Sequence, residues 1–118
     1  KAGICKTENF ISEKHIRFAT QSGPMLLIDG QIHSAFKQAS LNLNIRNGVG
    51  ILPDQTVVFV MSKKGINFYD FAHYFKQLGC RNALYLDGAI SQTWCPSAKH
   101  LQTGGDFGVM IAVSEKKK

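Results

Sequence analysis

At 118 residues the chain is one small domain at most. Its 44% hydrophobic and 19% charged residues exclude a disordered segment, and no apolar run approaches the roughly 18–20 residues that span a bilayer. The formal charge is +6, but Lys116-Lys117-Lys118 supplies three of those charges. What remains is scattered among acids without interleaved aromatics, so no nucleic-acid partner is expected.

In chain order, residues up to Ile16 are polar and mixed, with weak strand character at Gly3-Ile4-Cys5. Arg17-Phe18-Ala19-Thr20-Gln21 alternates in polarity and meets a turn signal at Ser22-Gly23-Pro24. Met25-Leu26-Leu27-Ile28 and Gln31-Ile32-His33 flank Asp29-Gly30, a hairpin signal, because a tight primed turn needs positive φ at both central positions. Ser34 to Leu43 is polar around Phe36 and reads as an irregular crossing segment. Asn47–Leu52 and Thr56–Met61 read as antiparallel strands joined through Pro53-Asp54-Gln55.

Phe68, Phe71, Ala72, Phe75 and Leu78 fall on one helical face. Asn67 suits the cap, Asp70 the positive first turn, and Gly79 the stop. Ala83–Leu86 reads as a buried strand. Gly88–Gly105 follows as a long loop or short helical turn, and Phe107–Val113 as a final strand. The predicted fold class is α+β, a mainly antiparallel sheet with one prominent amphipathic helix (about 67–78) packed on it.

The candidate chemistry lies at two places. Asp87 follows a buried strand and precedes Gly88, where backbone can approach a ligand closely. A carboxylate there suits acid–base work or binding of a cation or sugar hydroxyl, although Asp-Gly also makes ordinary turns. Ser91 can donate to a substrate oxygen but stands in no Gly-x-Ser-x-Gly elbow. Arg46 stands before Asn47, Gly48 and Gly50, and its planar fork can hold a phosphate through two parallel hydrogen bonds. A surface loop arginine is the plainer reading. The Gly-x-Gly here lacks the third glycine and following helix of a dinucleotide site.

Capping accounts for Asn67 and Asp70 without a ligand. His15, His33, His73 and His100 show no ligand spacing, so no metal and no cofactor is expected. Cys5, Cys80 and Cys95 cannot all pair; free, partly buried thiols are expected, with a Cys80–Cys95 bridge as the alternative.

Taken in order, Gln21-Ser22-Gly23-Pro24, Arg46-Asn47-Gly48-Val49-Gly50, Gly65-Ile66-Asn67-Phe68-Tyr69-Asp70-Phe71-Ala72 and Asn82-Ala83-Leu84-Tyr85-Leu86-Asp87-Gly88 resemble the phosphodiester glycosidase family. That family includes the vertebrate uncovering enzyme and a bacterial branch related to exopolysaccharide. The resemblance runs from about Phe18 to Val113. It implies Arg46 near a phosphate and Asp87 on the sugar side as catalytic residues, with Gln21, Asn47, Gly48, Asn67, Gly88 and Ser91 binding substrate. The family's Asn-Leu-Asp-Gly-Gly-Gly-Ser pattern reads here as Tyr85-Leu86-Asp87-Gly88-Ala89-Ile90-Ser91, with two glycines replaced.

Family domains are longer, and an upstream Asn-Gly-rich motif has no counterpart before Phe18. Residues 1–113 are therefore expected as a single domain or as the C-terminal part of a larger one, with 114–118 as a basic tail. The implied function is hydrolysis of a glycosyl phosphodiester in a periplasmic, envelope or secreted setting, with the missing N-terminal part of the domain as partner. The rival is a non-catalytic module binding anionic glycan or cell-wall fragments. Both require Arg46 and Asp87 to converge on one cavity.

Overall fold

A computed structural model describes residues 1–88, 90–106 and 108–117. Five strands, β1 (Met25–Ile28), β2 (Gln31–Ile32), β3 (Asn47–Ile51), β4 (Val57–Met61) and β5 (Asn82–Tyr85), form one sheet in the order β2-β1-β5-β3-β4. Every neighbouring pair is antiparallel. Helix α1 (Phe68–Gln77) packs on one face, so the architecture is α+β as the periodicities predict.

Local chemistry explains each element. Asp29 and Gly30 have φ of 49° and 80°, the left-handed pair that a primed hairpin turn demands. The turn is tied to β5: Gly30 N–H donates to the Arg81 carbonyl at 2.7 Å, and Asp29 N–H to Asn82 Oδ1 at 3.0 Å. Asn67 caps α1, its Oδ1 accepting from Asp70 N–H at 2.8 Å. The helix ends before Gly79, whose φ of 91° turns the chain away.

Phe71, Ala72 and Phe75 press onto Leu26, Leu27, Cys80 and Ala83 to make the core. The close seating depends on glycines alternating along β3. A Cβ at Gly50 would lie 2.6 Å from Cys80 Sγ and 2.7 Å from the Phe75 ring. One at Gly48 would lie 2.9 Å from the Leu84 carbonyl. Bare backbone is what lets the aromatic face of the helix reach the sheet.

Several boundaries differ from the sequence reading. β5 runs Asn82–Tyr85 instead of Ala83–Leu86, because Asp87 adopts φ 54° and turns the chain; Leu86 N–H still bonds the Asn47 carbonyl at 3.1 Å. The loop expected over Gly88–Gly105 contains a small hairpin, β6 (Trp94–Cys95) and β7 (His100–Leu101), closed by a 3₁₀ turn at Pro96–Ala98. The expected final strand begins at Phe107, outside the described residues, and Gly108–Val113 is irregular chain with Val109 and Val113 exposed. Gly3–Cys5 and Arg17–Gln21 are also irregular. Alternating polarity makes a strand only where a neighbouring edge accepts its hydrogen bonds, and these segments have no such neighbour among the described residues. All three cysteines are free.

Candidate functional site

Arg46 stands at the entry to β3, pinned by exchange with Ser62: its N–H donates to Ser62 Oγ at 2.9 Å and its carbonyl accepts from Ser62 N–H at 2.8 Å. Its side chain is 3% exposed, against the expectation of a surface loop. Nε donates to the Ile66 carbonyl at 2.8 Å and Nη2 to the Asn42 carbonyl at 3.1 Å. The guanidinium plane lies over Phe68, with Cζ 3.7 Å from the ring centroid, and Tyr85 stands 5.6 Å away. Phe68 in turn stacks on Phe36 and meets Tyr85 edge-on.

This cation has no anionic partner among the described residues, where the ion pairs are Lys6–Glu8 and Arg81–Asp29. Two carbonyls and an aromatic face offset part of the desolvation cost of a buried charge. The Nη1 edge of the fork has no hydrogen-bond partner among the described residues. A cation held rigidly with one open edge can accept an oxyanion without reorganising.

The Asp87 turn closes the same end of the β3–β5 ladder, where Gly48 pairs with Tyr85. Asn47 crosses from β3, and its Nδ2 donates to the Asp87 carbonyl at 2.6 Å and to Ser91 Oγ. The Ser91 hydroxyl faces the carbonyls of Asp87 and Gly88, each at 3.1 Å. Asn47 and Ser91 thus shape the turn from within, which leaves Ser91 little capacity for a substrate. The Asp87 carboxylate accepts from Gly88 N–H at 2.7 Å and is otherwise exposed. Gly88 is buried, and any Cβ there would run into the Tyr85 hydroxyl. The Tyr85 ring therefore bridges the space between the arginine and the Asp87–Gly88 turn.

Arg46, Asn47, Gly48, Asp87, Gly88 and Ser91 are gathered at this end. Asn67 is nearby through Ile66 but is 3% exposed and committed to the cap; its Nδ2 also donates to Asp70 Oδ2 at 2.8 Å. Gln21 stands apart, donating to Thr7 Oγ1 at 3.1 Å. Its neighbour Ser22 does reach the strand tip, donating to the Tyr85 carbonyl at 2.7 Å. A cavity of about 190 Å³ adjoins the arginine's anchors, lined by Phe36, Lys37, Asn42, Phe68 and Tyr69 among others. A second, of about 490 Å³, lies at the opposite strand ends by Ile51 and Asn82. Arg46 and Asp87 line neither.

The sequence reading missed Tyr85 and Phe68 as the groups that enclose the guanidinium. No local signal pairs them with Arg46, because Phe68 opens the helix and Tyr85 ends β5, both distant from it in sequence.

The family model for phosphodiester glycosidase matches residues 3–112, and the chain belongs to that family. It is 40% identical over 117 residues to the uncharacterized protein YigE of Escherichia coli (strain K12). The match takes in 98% of this chain and 46% of that relative, so the chain spans about half the relative's length. No solved structure matches it. Among the described residues no helix is long and apolar enough to cross a membrane.

Proposed function

We propose that this chain carries the phosphate-side and sugar-side groups of a glycosyl-phosphodiester hydrolase. The observation that supports it is the buried Arg46, fixed by two carbonyls and lacking a counter-ion among the described residues, at the strand end shared with the exposed Asp87 carboxylate. The open edge of Arg46 binds the phosphodiester and offsets charge on the departing phosphate monoester. Asp87 acts at the anomeric carbon, as base for the attacking water or as stabiliser of its positive charge. Capping accounts for Asp70 without a ligand, so the second carboxylate and the stereochemical course stay unassigned. The rest of a longer domain completes the pocket, in an envelope or secreted setting and on a glycan of exopolysaccharide type.

The second reading, a module that binds anionic glycan without cleaving it, draws on the same site. The extensive structural use of the Arg46 fork favours it. The deciding assay follows release of sugar from a synthetic GlcNAc phosphodiester by the longer protein. Asp87→Asn, whose side chain is exposed, lowers turnover by about 10²–10⁴-fold while leaving the fold intact. Unchanged turnover in both Asp87→Asn and Arg46→Ala overturns the proposal. Binding of the glycan by the unmodified protein with no product favours the second reading.

A further inference from the structure

The face of the sheet turned away from α1 is apolar and only partly covered: Thr93 Oγ1 meets Met61 Sδ at one end, and Ala2–Ile4 share a cavity with Ile51 and Asn82 at the other. Register places Met25 opposite Leu84, Leu84 opposite Val49, and Val49 opposite Phe59. One continuous apolar row therefore crosses four strands, with Ile51 and Val57 paired beside it. None of these side chains is fully buried; Phe59 is 45% exposed and Val57 38%. Strands that are apolar on both faces, as in Val57-Val58-Phe59-Val60-Met61, suit a sheet covered on both sides.

The dimensions of the whole chain agree. Its accessible surface is 9364 Å², whereas a compact chain of 13.1 kDa should expose about 6400 Å². Its radius of gyration is 14.8 Å, against about 13.5 Å expected for this length. The excess, about 3000 Å², exceeds what one side of a large obligate interface buries. The irregular segments contribute to it, and they also expose apolar groups: Phe18 is 93% exposed, Val109 79% and Val113 83%.

We infer that this sheet face is an intramolecular docking surface, covered by an apolar layer from the polypeptide that longer family members carry outside the matched region. The choice of occupant rests on length. The matched region is only 46% of the E. coli relative, which leaves over half of that protein to supply a layer. The face has few charges to attract a nucleic acid or an acidic partner; Asn47 and Asn82 are its polar members.

Single cysteines at Phe59 (Phe59→Cys) and Val57 (Val57→Cys) test this, with exposed Lys63→Cys as control and alkylation read site by site by mass spectrometry. In the complete polypeptide in which this sequence occurs, the two sheet-face sites should label more slowly than Lys63→Cys by about tenfold or more, limited by local opening. In the 118-residue chain they should label at the control rate. Control-rate labelling of both sites in the complete polypeptide overturns the inference. So does protection in the 118-residue chain that fades on dilution, since the occupant is then a second copy. The readout is independent of activity, so failure of the hydrolase reading leaves it standing.

Discussion

Asn47 holds Asp87 by its main chain, not its carboxylate: the amide of the first β3 residue donates to the Asp87 carbonyl at 2.6 Å. The same amide reaches Ser91 Oγ, so one side chain closes the turn that presents the candidate acid. Asn47→Ala removes both contacts from a partly buried position. The expected result is a loss of about 1–2 kcal/mol in stability and faster proteolysis in the turn after Asp87, while Asn47→Asp, which cannot donate to a carbonyl, behaves like the alanine variant. Urea unfolding and limited proteolysis measure this, and an unaltered turn in both variants contradicts it.

Gly50 is where helix and sheet approach most closely. Gly50→Ala forces a methyl against Cys80 Sγ and the Phe75 ring, both in the packed core. It should destabilise by about 1–3 kcal/mol, the usual cost of overpacking. Gly30→Ala places its methyl in open space but at φ 80°, so its cost is backbone strain, about 1 kcal/mol. Thermal or urea unfolding of the two variants separates steric from conformational demand.

The Asn67 cap predicts a loss of about 1 kcal/mol for Asn67→Ala and little for Asn67→Asp, whose side chain still accepts from Asp70 N–H. The aspartate variant places two carboxylates together, so its stability should fall below that of the natural protein as pH rises above the carboxylate range. Unfolding curves for both variants at about pH 4 and 7 measure the difference.

The two thiols of Cys80 and Cys95 are pushed in opposite directions. Burial raises the Cys80 thiol above its ordinary value, while a hydrogen bond from Ser97 lowers that of Cys95. A larger thiolate fraction makes Cys95 the faster of the two toward iodoacetamide near neutral pH. For Cys80 the raised folded-state value means that folding favours the protonated form. Its contribution to stability is complete below the unfolded thiol's pKa and is lost as pH rises through the folded one. Cys80→Ala should therefore flatten part of the alkaline fall in stability, as followed by melting temperature above about pH 9.

Much of the fold could be read from residue pattern, because the evidence for it is local. Asp29-Gly30 demands a turn whatever surrounds it, and the spacing of Phe68, Phe71 and Phe75 makes a helix with an aromatic face. The hairpin Trp94–Leu101 was hidden because its strands are two residues each, too short for periodicity to register. The Phe107–Val113 pattern marks a segment that wants a partner strand, and pattern alone does not say whether one is there. At the site, Asp87 could be placed from the strand that ends before it. The burial of Arg46 could not, since it depends on Phe68 and on the carbonyls of Asn42 and Ile66, which the fold brings together from separate loops.

That arginine has an architectural duty besides the chemistry proposed for it. A guanidinium bonded to both the crossing loop and the lead-in to the helix is under selection for folding even in a descendant that has lost turnover. Its retention across a lineage would then say little about whether a given member is active. The solvent-facing acid at the same strand end spends its carboxylate only on the next residue's N–H, so under the proposed reading its replacement in a relative is the more telling mark of a binder.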